Sequence, residues 1–174
     1  MSLALQAAQA MAALAHKDQK YGEHPYTKHL ADVVGVLKRF RVTDEDILTA
    51  GWLHDIVEDT PTTLNHIEIM FGRRVSDLVH RVTNEAGVNR KARHELTYPK
   101  IKASDDAITL KLADRIANTE ESISTKADIL KMYQKEYPGF RKELYKPGSH
   151  DSMWRHLDFL MSHEPEPFER SGAW

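Results

Sequence analysis

A run of six residues, from His54 to Asp59, crowds one imidazole and three carboxylates into an otherwise apolar helical pattern. On a helix, residues three and four apart share a face, so His54 would neighbour Glu58 and Asp55 would neighbour Asp59. Carboxylates stacked on one edge repel each other unless a cation or a shifted pKa compensates. The run therefore predicts a divalent metal site with a water-activating neighbour, enclosed by other segments of the chain. The alternative is a solvated acidic helix end.

Further ligands must come from distant segments, because adjacent residues cannot surround an ion. His29 lies at the start of a helical stretch, and Asp114 borders a buried apolar stripe in residues 108–123. A buried aspartate needs a partner, which is either a metal ion or a salt bridge to Lys111 or Arg115. Since the chain has no cysteine, any metal site must use histidine and carboxylate ligands.

The order of these residues resembles the H…HD…D arrangement of the HD phosphohydrolase superfamily. Within that superfamily the chain is most similar to the alarmone hydrolases, meaning the hydrolase domain of RelA/SpoT proteins and their small single-domain relatives. The resemblance covers most of the chain, about residues 5–125. Four sequence motifs carry the resemblance. The first two are Pro25-Tyr26 with His29, and Leu53-His54-Asp55-Ile56-Val57-Glu58-Asp59-Thr60. The other two are Phe71-Gly72 with Val75, Leu78, Val79, Val82 and Thr83, and Lys111-Leu112-Ala113-Asp114-Arg115 with Asn118.

The resemblance implies an all-α HD-domain helical bundle that binds one Mn²⁺ ion per chain. The implied ligands are two histidines and two aspartates: His29, His54, Asp55 and Asp114. Glu58 and Asp59 would orient and deprotonate the attacking water, which a bound cation makes more acidic. The implied reaction removes the 3′-pyrophosphate from guanosine tetra- or pentaphosphate, (p)ppGpp. Two alternatives stay open: an HD phosphohydrolase of a nucleoside monophosphate or an NADPH-like 2′-phosphate, and a non-catalytic domain that binds nucleotide or a protein.

Four residues are predicted to contact the substrate: Lys20, Arg90, Arg93 and Asn118. The two arginines are three residues apart, and guanidinium groups suit bidentate phosphate contacts; an exposed charged helix face is the alternative. Asn118 matches a family asparagine near the ribose, although a surface amide is the alternative. Ahead of Pro25-Tyr26, where the family carries an arginine that stacks on guanine, this chain offers Lys20, Tyr21 or His24 instead. Lysine lacks that planar group, so guanine selectivity stays open.

Composition predicts one cytoplasmic domain over residues 1–163, followed by a frayed tail over residues 164–174. The 24 basic and 26 acidic residues give a net charge of −2, which offers no general surface for nucleic acid. The predicted partner is a small phosphorylated nucleotide, without nucleic acid or membrane, and the sequence is compatible with an oligomer. Residues 1–15 lack the basic start of a signal peptide. They predict a packed helix whose inner face carries Leu3, Ala7, Met11 and Leu14.

Capping and turn signals divide the chain into helices, and no alternating strand pattern is present. Gly22 to Pro25 is predicted to end the first helix. Thr43-Asp44 and Ser104 are predicted N-caps of the two helices that carry the HD pair and Asp114. Aromatic residues between 133 and 145 favour core packing over a role as the wall of a nucleotide pocket. The predicted site lies between the helices bearing His29, His54 and Asp114.

Overall fold

The computed structural model describes residues 2–164, and these are almost entirely helical, which confirms the all-α prediction. The elements in chain order are α1 (Leu3–Ala15), β1 (Lys20–Tyr21), β2 (His24–Pro25), α2 (Thr27–Arg39), α3 (Glu45–Leu53), α4 (Ile56–Asp59), α5 (Leu64–Phe71), α6 (Arg73–Val82), α7 (Arg90–Lys102), α8 (Asp105–Thr125), α9 (Ala127–Leu144) and α10 (Asp151–Met161). Apart from Glu164, the predicted tail over residues 164–174 lies outside the described residues. Within residues 2–164, no helix combines the length and apolarity needed to cross a membrane.

Side-chain caps begin the helices that carry the site. The Asp44 carboxylate accepts hydrogen bonds from the backbone N–H groups of Asp46 and Ile47, at 3.0 and 3.2 Å. The Ser104 hydroxyl accepts from the N–H of Ala107 at 3.3 Å. These caps satisfy donors that a helix start leaves unpaired. The starts of α3 and α8 are thus as predicted.

The centre of the bundle is α8. Ile108, Leu110 and Leu112 point to different sides of this helix, yet all are fully buried. Such burial around the axis is typical of a helix surrounded by others, and α8 packs against α2, α7, α9 and α10. Asp114 therefore lies inside the bundle, with only 8% of the residue exposed.

Helices α2 and α3 approach each other closely at Gly51. A Cβ atom at Gly51 would lie 3.0 Å from Leu37 Cδ1 and 3.1 Å from Val34 Cγ2, closer than ordinary packing contacts. Because glycine has no side chain, the two backbones can meet there. This approach brings His29 of α2 toward His54, which follows the last residue of α3.

Two expectations about the first thirty residues were wrong. Helix α1 ends at Ala15 rather than near Gly22, and a short antiparallel hairpin follows, with Lys20 opposite Pro25 and Tyr21 opposite His24. Strands of two residues are too short to produce a readable alternating pattern. The predicted inner face of α1 was also wrong. The buried residues are instead Leu5, Ala8 and Ala12, while Leu3 and Leu14 are 84% and 73% exposed.

Candidate metal centre and hydrolytic site

Three separate parts of the bundle contribute the four predicted metal ligands. His29 lies in the first turn of α2, and Asp114 lies midway along α8. His54 and Asp55 form a turn between α3 and α4, so the continuous helical face expected from His54 to Asp59 is interrupted. Asp55 departs most from helical geometry, with φ −99° and ψ −4°. The local spacing is therefore only partly helical, and contacts across the bundle decide where each side chain points.

The four predicted ligands meet in one buried cluster. His54 Nε2 lies 3.1 Å from Asp55 Oδ2 and 3.8 Å from Asp114 Oδ1. His29 Nε2 lies 3.6 Å from Asp55 Oδ2 and 3.4 Å from Asp114 Oδ1. One ligand atom each from His29, His54 and Asp55 can be chosen so that all lie within 4.8 Å of one another. Both imidazole side chains are only 2% exposed.

The imidazole of His54 is oriented for metal binding. Its Nδ1 lies 3.0 Å from the carbonyl oxygen of Gly51, and a carbonyl can only accept, so Nδ1 carries the proton. When the ring is neutral, Nε2 has a lone pair directed at the cluster, the form in which histidine binds metals. Within residues 2–164, this buried Nε2 has no hydrogen-bond partner of acceptable geometry. The donor set therefore fits a divalent cation.

The two aspartates are held by neighbouring polar side chains. The Tyr26 hydroxyl donates to Asp55 Oδ2 at 2.6 Å. Lys111 donates to Asp114 Oδ2 at 2.8 Å, and Asn118 donates to Asp114 Oδ1 at 2.6 Å. Thus Asp114 makes the salt bridge to Lys111 and also presents Oδ1 to the histidines. The interpretation of Asp114 as a metal ligand and its interpretation as a salt-bridge partner are therefore compatible.

Burial and charge make this cluster attractive to a cation. Burial opposes protonation of His29, but hydrogen bonds to Asp114 and Asp55 outweigh it and raise the pKa of His29 to about 9. Burial would raise the pKa of both carboxyls, yet nearby positive charge, from His54 at Asp55 and Lys111 at Asp114, lowers the pKa of each. The carboxylates therefore stay ionised and favour positive charge between the two imidazoles.

The two predicted catalytic carboxylates are held by residues from two different segments of the chain. Glu58 accepts from the Asn84 backbone N–H at 3.1 Å and from the Asn84 side-chain amide at 3.1 and 3.2 Å. Asp59 Oδ2 accepts from Gln19 Nε2 at 2.8 Å. Asn84 belongs to the segment between α6 and α7, whereas Gln19 follows α1. Each carboxylate is thus oriented by a residue remote in sequence.

The four predicted substrate contacts have different surroundings. Arg93 Nη1 lies 3.8 Å from Glu58 Oε1, next to the predicted catalytic pair. Arg90 is held by Glu136, to which its Nε and Nη2 donate at 2.5 and 3.2 Å. Lys20 is exposed on β1. The structure therefore does not bring Arg90 and Arg93 together as one clamp.

Asn118 links the metal cluster to a cavity of about 200 Å³. Its Nδ2 donates to Asp114, and its Oδ1 accepts from the Tyr21 hydroxyl at 2.9 Å. Tyr21, Lys126 and Tyr133 also line this cavity. Of the aromatic residues predicted to pack in the core, Phe140 is fully buried there, whereas Tyr133 is at the cavity. A larger groove of about 930 Å³ between α7 and α9 contains none of the predicted metal ligands.

Several site neighbours were not identified from the sequence as functional. Gln19, Tyr26 and Asn84 contact Asp59, Asp55 and Glu58, respectively. His16 contacts Gln19 and Tyr26. Tyr26 was noted only as part of the Pro25-Tyr26 motif, although its position three residues before His29 indicates that the two side chains are close together. No local pattern marks Asn84, because its partner lies 26 residues earlier in the chain.

An all-α bundle that gathers two histidines and two aspartates from separate helices is the architecture expected of an HD domain. A family model described as an HD domain matches residues 4–136. The chain therefore belongs to the HD domain family. Membership implies a divalent metal ion, and His29, His54 and Asp55 are a possible site for it.

Similar proteins share one named activity. The chain is 35% identical over 115 residues to guanosine-3′,5′-bis(diphosphate) 3′-pyrophosphohydrolase MESH1 of Drosophila melanogaster, covering 63% of this chain and 64% of that protein. A protein of Aquifex aeolicus named guanosine-3′,5′-bis(diphosphate) 3′-pyrophosphohydrolase is 35% identical over 136 residues, covering 76% of this chain and 19% of that protein. The chain thus spans just under two thirds of the Drosophila relative.

A solved structure has the same architecture over nearly the whole chain. It is described as a metazoan ortholog of SpoT that hydrolyzes ppGpp and plays a role in starvation responses. It superposes with a TM-score of 0.80 at 27% identity, covering 92% of this chain and 94% of the other. The likeness therefore extends beyond the part of this chain that the family model matches.

Proposed function

We propose that this chain is a metal-dependent phosphohydrolase that removes the 3′-pyrophosphate from (p)ppGpp. The observation that carries the proposal is the convergence of His29, His54, Asp55 and Asp114 beside the carboxylates of Glu58 and Asp59. The named activity of the Drosophila and Aquifex relatives supports this choice of substrate. We place the reaction in the cytoplasm, with a small phosphorylated nucleotide as the partner.

The two histidines and two aspartates would hold one divalent cation, for which Mn²⁺ is our choice. A cation bound there supplies Lewis-acid polarisation of a phosphoryl oxygen and acidifies a nearby water. His54 presents Nε2 because Gly51 fixes its Nδ1 proton. Asp55 is held by Tyr26, and Asp114 by Lys111 and Asn118, so these ligands need little rearrangement to bind.

Glu58 and Asp59 would orient the attacking water and accept its proton. Asn84 holds Glu58 and Gln19 holds Asp59, while each carboxylate retains unused acceptor capacity. Arg93, beside Glu58, is placed to balance the negative charge of a pyrophosphate group.

The cavity next to Asn118 is our candidate site for the nucleoside part of the substrate. Tyr21 and Tyr133 offer aromatic faces on which a purine could stack. Lys126 lies 5.8 Å from the Tyr21 ring centroid and adds positive charge. Tyr21 occupies the segment where an arginine would stack on guanine, so another purine nucleotide is the second candidate substrate.

Hydrolysis assays on the purified chain with added Mn²⁺ test the proposal. ppGpp, NADPH and nucleoside monophosphates should be compared at matched concentrations. We expect pyrophosphate release from ppGpp to be fastest. If ppGpp is not cleaved while NADPH or a nucleoside monophosphate is, the proposed substrate is wrong and the second candidate replaces it.

The variant Glu58→Gln tests the chemical role of the carboxylate. We expect kcat to fall about 10²-fold or more, the usual scale for losing a general base, with bound metal unchanged. Glu68→Gln is the matched control, since Glu68 is exposed on α5 and should leave kcat unaltered. A wild-type kcat for Glu58→Gln would transfer the role of base to Asp59.

A further inference from the structure

The Asp59 side chain is connected to the segment that follows α1 by a single amide. Gln19 Nε2 donates to Asp59 Oδ2 at 2.8 Å, although the two residues are 40 positions apart. Asp59 ends the four-residue helix α4 and is exposed. A carboxylate in such a position can rotate unless a partner holds it, and Gln19, which lies between α1 and β1, is such a partner.

The direction of this hydrogen-bond chain follows from the chemistry of its ends. An ionised carboxylate only accepts hydrogen bonds, so the amide of Gln19 must present its NH₂ group to Asp59. The amide oxygen Oε1 then faces His16 Nδ1 at 2.7 Å. Since that oxygen only accepts, His16 must donate from Nδ1. Rotating the Gln19 amide by 180° would place its oxygen against the Asp59 carboxylate, so that two acceptors would face each other.

His16 is itself fixed by packing. The residue is only 2% exposed, and its ring stacks on Tyr26 with the centroids 4.8 Å apart. Tyr26 is the residue whose hydroxyl donates to Asp55. His16 therefore contacts both Tyr26, which holds the predicted metal ligand Asp55, and Gln19, which holds the predicted catalytic carboxylate Asp59.

The backbone around Gln19 is also held on both sides. The Gln19 N–H donates to the His16 carbonyl at 2.9 Å, and the Tyr26 N–H donates to the Gln19 carbonyl at 3.1 Å. The turn after α1 is thus joined to the start of α2. This arrangement limits the movement of the Gln19 side chain relative to Asp59.

We infer that Gln19 and His16 are positioning residues for the hydrolytic step. His16 orients the Gln19 amide, and the amide holds Asp59 by Oδ2, so that Oδ1 is directed to the attacking water. The inference rests on the proposed function, because Asp59 must take part in activating water. Neither residue needs to touch the substrate.

Kinetics of Gln19→Leu test this role, because leucine has a similar size and cannot donate. We expect kcat on ppGpp with Mn²⁺ to fall about tenfold or more, the usual scale for removing a residue that orients a site. KM and bound metal should match the wild type. Gln134→Leu is the matched control. Gln134 Nε2 donates to the Met161 and His163 carbonyls at 3.1 and 2.7 Å, so this variant should lower stability while leaving kcat unchanged.

The variant His16→Phe tests the second link, because phenylalanine keeps the ring stacked on Tyr26 and removes the Nδ1 donor. Its kcat should fall. Combining it with Gln19→Leu should cause no further loss, since both changes interrupt the same series of hydrogen bonds to Asp59. A wild-type kcat for Gln19→Leu overturns the inference. So does a loss of bound metal that accounts for the lower kcat.

Nitrogen NMR of the imidazole provides a readout that needs neither substrate nor metal. In the neutral state His16 should carry its proton on Nδ1. An Nε2–H tautomer would overturn the proposed direction of the hydrogen bonds from His16 through Gln19 to Asp59. If wild-type protein fails to cleave ppGpp, the proposed function is wrong. The NMR result then still decides whether His16 orients Gln19.

Discussion

Replacing Asp114 with asparagine would separate the metal-binding role of this carboxylate from its role in the fold. The Asp114 side chain is 11% exposed and pairs at 2.8 Å with Lys111, whose side chain is 13% exposed. Asparagine has nearly the same size but leaves the Lys111 ammonium without its counterion. Breaking a buried ion pair from one side costs about 3–5 kcal/mol. At the lower end of that range, Tm should fall by about 6–12 °C for a domain of this size.

Metal binding by the same variant is measured from the effect of Mn²⁺ on thermal unfolding. A ligand at about 100 times its Kd stabilises a folded protein by about 2.7 kcal/mol. For the wild type this corresponds to a rise in Tm of about 5–11 °C. Asp114→Asn should show little of this rise, because Oδ1 no longer carries the charge that faces His29 and His54. Elemental analysis of the dialysed protein checks the metal content directly.

The double variant Asp114→Asn/Lys111→Met distinguishes the two effects. Methionine removes the unpaired ammonium while filling similar space, and such replacement of a buried pair is often neutral or stabilising. The double variant should therefore regain most of the lost Tm but none of the Mn²⁺ response. Stoichiometric metal in either variant would refute Asp114 as a ligand. A double variant no more stable than Asp114→Asn would refute the unpaired lysine as the cause.

Arg93→Ala should raise KM for a polyphosphate substrate about tenfold or more, because a charge-assisted contact is worth about 1.5–3 kcal/mol. Arg90→Ala should raise KM less, since Glu136 already holds Arg90; equal effects in steady-state kinetics would contradict this. Burial lowers the pKa of His94 from 6.5 to about 4, so the unfolded chain binds more protons between these values and stability falls as pH falls through this window. His94→Gln should flatten that fall, measured by urea unfolding across the pH range; an unchanged pH slope would contradict the assignment. The slope cannot exceed about 1.4 kcal/mol per pH unit, because a single group exchanges at most one proton, and partial exposure of the ring reduces it further.

The fold class was predictable because its signals are local, whereas grouping the members of the central cluster also needed the resemblance to a family. Caps such as Asp44 and Ser104 act on backbone groups within three residues, and apolar spacing follows from the helical period. The same period placed Asp114 on the border of a buried stripe. Resemblance to the HD arrangement then grouped it with His29 and His54, and the distances in the bundle agree with that grouping.

Where local patterns were misleading, packing was the reason. The sequence of α1 predicted an inner face bearing Leu3, Ala7, Met11 and Leu14, but the buried face, in the helix that packs against α3, bears Leu5, Ala8 and Ala12. The run of acids after His54 was expected to stay on one face. Its helix breaks at Asp55 instead. Helical spacing predicts neighbours only while the helix continues.

By itself, the sequence predicted the all-α class, the HD domain family and the grouping of four candidate ligands, His29, His54, Asp55 and Asp114. Only the tertiary structure decided which remote side chain orients each carboxylate. Asn84 reaches Glu58, Gln19 reaches Asp59, and Glu136 holds Arg90 across 46 residues. Hydrogen bonds depend on distances within a few tenths of an ångström and on donor direction. Those quantities are set when whole helices pack, because spacing along the chain constrains only near neighbours.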